Sequence, residues 1–319
     1  MAASPAALVI ASRRVALLLL VLGLLVVFGA AQARGRRDPA IPQDGLDLHH
    51  RVAAGSVIVL GKVEEVKRKA FLRVEEVLRG DPKAIPGLLR VAFFGVNRGR
   101  NAGQAPFRVA EGERAVFILA RWTDSRGDLR GSDLFRPEGL AKAKIPIPAE
   151  GAQALLEAVR ALVAYHDSPR RGQVEAELAQ WLKGSNNWLV DVALDEAARF
   201  SIAGPEWIPG LLLRTRDVNP LRRRLALEAM GTALARGRLG RTGQVSGAQS
   251  GEELMAMVRE ALVRHARTDE DASVRLACVN WLPEAGLRDL EALLKSISRD
   301  DPDQNVRYTA STKLLALRR

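Results

Sequence analysis

Two stretches near the end of this chain read almost alike. Asp271-Ala272-Ser273-Val274-Arg275-Leu276-Ala277 is followed, 32 residues on, by Asp303-Gln304-Asn305-Val306-Arg307-Tyr308-Thr309-Ala310. A repeat of this period constrains the fold strongly. Each unit is too short to bury its own apolar face and must share a core with its neighbours. Two earlier apolar positions, Val190 and Leu221, extend the series with Val274 and Val306 to spacings of 31, 53 and 32 residues. The long interval contains Arg236 to Gly251, a Gly- and Ser-rich stretch that fits a loop insertion on one face of a stack.

Each unit opens on a cap: Asn186-Asn187, Asn219-Pro220, Asp269 to Asp271, and Asp301-Pro302-Asp303. Asp and Asn accept the free N–H groups of a first turn, and proline suits its first position. Second helices are expected over Pro205 to Leu213, Glu252 to His265 and Leu287 to Ile297. Ahead of the repeats, Ala152, Leu155, Leu156, Val159, Leu162, Val163 and His166 fall on one helical face. Val174, Leu178, Trp181 and Leu182 mark a second helix.

These units resemble HEAT repeats. Asp271, Val274 and Arg275 with Ala277, and Asp303, Val306 and Arg307 with Ala310, carry the resemblance. Leu221-Arg222 with Ala226 is a looser match, and Val190-Asp191 has aspartate where the pattern has arginine. The resemblance implies an all-α solenoid that serves as a scaffold or binding surface. Its structural positions are then Val190, Leu221, Arg222, Val274, Arg275, Val306 and Arg307. Stacked units place corresponding residues in rows. Arg222, Arg275 and Arg307 are thus expected to form a ladder with Asp217, Asp271 and Asp303.

The chain begins with Arg13-Arg14, an apolar run VALLLLVLGLLVVF from Val15 to Phe28, and the small-residue stretch ending Ala31-Gln32-Ala33. This is the pattern of a cleaved secretory leader over residues 1–33, which places the protein outside the cytoplasm. The alternative is an uncleaved membrane anchor, for which the uncharged run is just long enough. Residues 34–50, with Pro39 and Pro42, are expected to be a linker.

From residue 51 to 148 the texture is β-like. Val57 to Val66, Phe71 to Leu78, Leu88 to Phe94, Ala115 to Ala120 and Leu129 to Phe135 are candidate strands, giving a small barrel or sandwich. Gly61-Lys62-Val63, Val77-Leu78-Arg79-Gly80 and Glu111 to Phe117 resemble the OB-like netrin and metalloproteinase-inhibitor domains. Those inhibitors act through an N-terminal cysteine that has no counterpart here, so the resemblance does not carry their activity.

The fold expected is therefore multidomain: a small all-β domain, then a helical solenoid over residues 149–319. The 48 basic residues outnumber the 37 acidic ones, for a net charge of +11, which favours anionic partners. Aromatic residues are 5% of the chain, too few for base-stacking platforms, and nucleic acid is disfavoured. Cys278 is the single cysteine, expected to be a buried thiol.

The densest basic cluster is Arg214, Arg216, Arg223 and Arg224, joined by Arg236, Arg238 and Arg241. With Arg222 assigned to the ladder, these arginines are the candidate partner-binding residues. The expected partner is a protein with an acidic contact surface, or else an anionic membrane. His49-His50 fall in the expected linker, and adjacent histidines suit a single metal ion poorly. His166 and His265 lie near helix C-termini, where the helix dipole favours a cation. The acids of 269–271 and 300–303 lack the spacing of a calcium loop and are expected as caps. No nucleophile–base pair, phosphate loop or metal signature stands out. The expectation is a non-enzymatic exported scaffold or protein-binding module without cofactor. The alternative is an enzyme-associated subunit or hydrolase inhibitor that acts through the β-domain.

Overall fold

The computed structural model describes residues 42, 44–67, 69–92, 107–122, 134–168, 171–200, 203–239 and 250–318. The leader of residues 1–33, most of the linker and Arg241 lie outside them. The chain is an N-terminal β-barrel region followed by helices.

Among the described residues the first element is a helix, α1 (Gly45–Ala54), where the sequence had suggested linker through residue 50. Asp44 caps it by accepting from the Asp47 N–H at 2.9 Å, and Leu48 and Val52, one turn apart, are fully buried. Gly45 is required at its start, because a Cβ there would lie 2.0 Å from the Trp188 carbonyl oxygen.

Six strands follow among the described residues: β1 (Val57–Val66), β2 (Lys69–Arg79), β3 (Leu88–Ala92), β4 (Arg114–Arg121), β5 (Leu134–Pro137) and β6 (Lys144–Pro146). β1 pairs antiparallel with both β2 and β4; β2 pairs with β3, β3 runs parallel to β5, and β5 returns to β4. These pairings close a five-stranded circuit, and β6 adds to β4. β5 is described from Leu134, and residues 129–133 of the expected strand lie outside the described residues. Closure leaves no long unpaired edge among these five strands.

The barrel interior is filled by Val59, Leu72, Leu89, Phe117, Leu119 and Phe135, all fully buried. The alternate residues of β1 and β4 are buried as well. Ile58 lies opposite Ile118 and Leu60 opposite Val116, and all four join the core that contains α1 and the later helices. That is why Val57 to Leu60 and Ala115 to Ala120 read as unbroken apolar runs: these stretches are buried on both faces, whereas Lys62 and Glu64 further along β1 are exposed. Arg79, at the end of β2, locks the junction by donating from Nη1 to the Val52 and Gly55 carbonyls at 2.6 and 2.8 Å.

The helices are α2 (Ala152–Asp167), α3 (Arg171–Lys183), α4 (Asn187–Phe200), α5 (Ile208–Arg214), α6 (Pro220–Ala235), α7 (Gly251–Thr268), α8 (Ala272–Trp281), α9 (Leu290–Asp300) and α10 (Gln304–Leu317). Residues 205–207, expected within α5, form a separate 3-10 turn ahead of it. Asn219, Asp271 and Asp303 cap α6, α8 and α10 through their side chains, while Ser250 and Glu253 form a reciprocal capping box on α7. α4 packs on α6, α6 on α8 and α8 on α10, with α5, α7 and α9 against the same series.

Val190, Val274 and Val306 are fully buried, but Leu221 is 42% exposed. In that unit the expected register is one residue out: the cap Asn219 stands four residues before Arg223, as Asp271 and Asp303 stand four residues before Arg275 and Arg307. Arg223, not Arg222, thus corresponds to Arg275 and Arg307. Likewise Ala310 corresponds to the fully buried Cys278 and not to Ala277.

Candidate functional site

The arginines fall into two sets once the caps fix the register. Arg223 Nε and Nη2 meet the two carboxylate oxygens of Asp269 at 3.0 and 2.8 Å, while Nη1 donates to the Asp217 and Val218 carbonyls. Arg275 repeats the arrangement one unit later. Its Nε and Nη2 meet Asp301 at 2.8 and 3.0 Å, and its Nη1 reaches the Asp269 and Glu270 carbonyls. All four side chains are buried. The hydrogen bonds from Asp269 and Asp301 raise the pKa of Arg223 and Arg275.

The ladder expected from the sequence is therefore corrected at three places. Arg223 replaces Arg222 in the row. The acids that face it are Asp269 and Asp301, because the carboxylates of Asp271 and Asp303 are occupied in capping α8 and α10. Arg222 points backwards, to Asp191 at 2.7 Å and Asn187 at 2.8 Å, and keeps the expected Asp217 within 3.7 Å. Asp191 also accepts from the Gly45 N–H at 3.2 Å. The aspartate that departs from the repeat pattern thus ties α1, α4 and α6 together.

The candidate partner-binding set splits in the same way. Arg223 is removed from it by burial. Arg214 is spent on the chain itself: its Nε donates to the Leu182 carbonyl at 2.7 Å and its Nη2 to the Gly184 carbonyl. Burial lowers its pKa below the ordinary guanidinium value. Arg224 faces Glu228, 3.7 Å away. Arg216, Arg236 and Arg238 are exposed.

Arg216 belongs to a groove that was not anticipated. Pro209, Leu212, Leu213 and Arg216, from α5 and the turn after it, face Met257, Glu260 and Arg264 of α7 across a depression of about 420 Å³. A second depression of about 430 Å³ adjoins it and shares Glu260 and Arg264. It continues over Val263, Arg267 and Leu287. Positions 257, 260, 264 and 267 recur at steps of three and four, so one face of α7 lines the whole groove. Its floor is apolar, with Leu213 50% exposed. Its rim carries Arg216, Arg264 and Arg267 against one acid, Glu260, which lies 3.9 Å from Arg264. The alternation of arginine and apolar residues on the helix over 251–268 was legible; the outward turn of Leu213 was not.

Three of the four histidines meet at the junction of α1 with α2. The His49 ring lies 4.7 Å from that of His166, 5.7 Å from that of His50 and 5.7 Å from the Tyr165 ring. Glu196 of α4 approaches His49 at 3.9 Å. Burial, then the neighbouring His166, His50 and Arg199, lower the His49 pKa to about 4. Burial and Arg79 lower that of His166 as well, against the pull of the helix C-terminus. Burial raises Tyr165 to about 12, aided by Glu196. His265 instead sits 2.9 Å from Asp269, beside the first rung of the ladder. Among the described residues, no group of three or more His, Cys, Asp or Glu side chains could hold a metal ion. The Cys278 thiol is buried and its pKa is pushed up by burial, which makes it a poor nucleophile.

Fold and site together define a β-barrel region joined to a succession of packed helices with a basic, apolar-floored groove between α5 and α7. No protein-family model matches the chain, and neither a curated protein nor a solved structure matches it at the level of significance required.

Proposed function

We propose that this protein is a non-enzymatic, exported scaffold that binds a protein partner through its helical region. The observation that carries the reading is the groove between α5 and α7, with Leu213, Met257, Val263 and Leu287 along its floor and Arg216, Arg264 and Arg267 along its rim. An amphipathic partner segment with acids flanking an apolar stripe complements it in both respects. The recurrence of the Arg–Asp pair from unit to unit supports a HEAT-like solenoid. The strand circuit β1-β2-β3-β5-β4 supports an OB-like reading of the barrel. The leader-like residues 1–33 support export. The filled barrel interior weighs against a β-domain that acts as an inhibitor or enzyme subunit through a cleft of its own.

A designed helical peptide with a leucine stripe bordered by glutamates provides the probe. Its affinity for the full chain, read by fluorescence anisotropy, should fall as added salt screens charges beyond about 8 Å. Reversal of Arg216, Arg264 and Arg267 to glutamate should weaken it by about tenfold or more with the melting temperature unchanged. Equal binding by wild type and triple variant would reject the groove as the docking surface.

A further inference from the structure

Arg223, Arg275 and Arg307 stand at one helical position, four residues after the caps Asn219, Asp271 and Asp303. In the first two, both edges of the guanidinium are used. Nη1 takes two carbonyls of the preceding turn, and Nε with Nη2 grips an aspartate of the next unit. Arg307 repeats only the first half. Its Nη1 donates to the Asp301 and Pro302 carbonyls at 2.6 and 3.0 Å. Among the described residues no carboxylate meets its Nε or Nη2. The fork is held by the same two carbonyl contacts as its counterparts, so its orientation is set before any ligand arrives.

The surface beside the fork is apolar and open. Tyr308 is 74% and Leu315 61% exposed, and the two lie seven residues apart on one face of α10. Leu276, which corresponds to Tyr308, packs against the core instead. Leu227 and Val279 are fully buried at the next position of their units. In α10 that position is Ser311, whose hydroxyl donates to the Arg307 carbonyl at 2.9 Å. The core therefore stops at α10 while the charge fork and two apolar side chains remain presented.

We infer that the outer face of α10 is a second docking surface, for a partner helix whose start carries an aspartate two residues ahead of its N-cap. That carboxylate sits bidentately on Nε and Nη2 of Arg307, and an apolar side chain of the partner covers Tyr308 and Leu315. The partner chemistry comes from the two rungs already in the molecule. Asp269 and Asp301 each stand two residues before a capping aspartate and accept its N–H, at 3.0 and 2.8 Å, while they fill the preceding fork. This surface is separate from the α5–α7 groove and does not depend on it.

A fluorescently labelled peptide of residues 287–318, which contains Asp301, the cap Asp303 and the helix that follows, tests the inference against the full chain. Saturable binding is expected by anisotropy. It should weaken about tenfold or more when the peptide carries Asp301→Asn, which leaves the chain itself untouched, and when the chain carries Arg307→Gln. The chain with Arg216→Glu and Arg264→Glu should bind the peptide as wild type does, which separates this surface from the groove. Absence of saturable binding would overturn the inference. So would binding that Asp301→Asn in the peptide leaves unchanged.

Discussion

At the junction of the barrel with the helices, Ile58, Leu60, Val116 and Ile118 of β1 and β4 share one apolar core with Leu48 and Val52, and the charged contacts come from β2, Arg79 with Asp167 and Glu76 with Arg160. Between the last three helical units, the apolar core is accompanied at both steps by a buried arginine–aspartate pair, Arg223 with Asp269 and Arg275 with Asp301. The two junctions do different work. An apolar face is non-directional and tolerates small shifts. A guanidinium fork accepts a carboxylate in one orientation, and a slip of one residue would leave both charges buried and unpaired. The barrel seam thus holds the halves together, and the ladder fixes how each unit sits on the next.

The comparison breaks most sharply at Arg275. Arg275→Met should destabilise the protein by about 3–5 kcal/mol, because Asp301 stays buried without its partner. Adding Asp301→Leu should recover most of that loss, since replacement of both partners by apolar groups leaves no orphan charge. Urea denaturation of wild type, single and double variants reads this directly. A double variant no more stable than the single would show that the pair contributes stability and not only register.

At the barrel seam the expected effect is somewhat smaller. Ile118→Ala should cost about 2–5 kcal/mol by opening a cavity between β4 and α1. Leu221→Ala, at the exposed position once taken for core, should stay within about 0.5 kcal/mol. A large loss at Leu221 would restore the register that the caps argue against.

The smallest effect lies at the histidine junction. The folded chain keeps His49 neutral down to about pH 4, whereas a free imidazole titrates near 6.5. Between those values the unfolded chain binds a proton that the folded chain refuses. Stability is therefore complete above about pH 6.5 and declines as pH falls towards 4. Asp195 and Glu196, raised by burial, act in the opposite sense, since the folded state takes up their protons first. The contrast between variants isolates the imidazole. From pH 7 to 5, wild type should lose more melting temperature than His49→Gln. Parallel curves would remove His49 as the source.

Much of this was written locally in the chain. The caps Asn219, Asp271 and Asp303 stand where the helix-start pattern put them, because an N-cap acts on amides two or three residues away. The short apolar runs Val57 to Leu60 and Ala115 to Ala120 announced strands, and the β-then-α order followed from the change of period. The start of α1 was missed because the polar, proline-containing segment before it suggested linker. Its evidence, the burial of Leu48 and Val52, lies in contacts with distant elements.

The sequence by itself determined the capped starts of α6, α8 and α10 and which residues are apolar enough to form a core, since those are matters of neighbours within a turn or a strand. Only the tertiary structure decided which charges are spent and which are free. Arg223 pairs with an aspartate 46 residues away and Arg275 with one 26 residues away. Adjacent arginines in one helix, Arg222 and Arg223, face opposite neighbours because successive residues are turned by about 100° around the axis. The same rotation that hides Arg223 leaves Arg216, Arg264 and Arg267 around a groove, and whether a fork such as that of Arg307 is filled depends on what the next element brings to it.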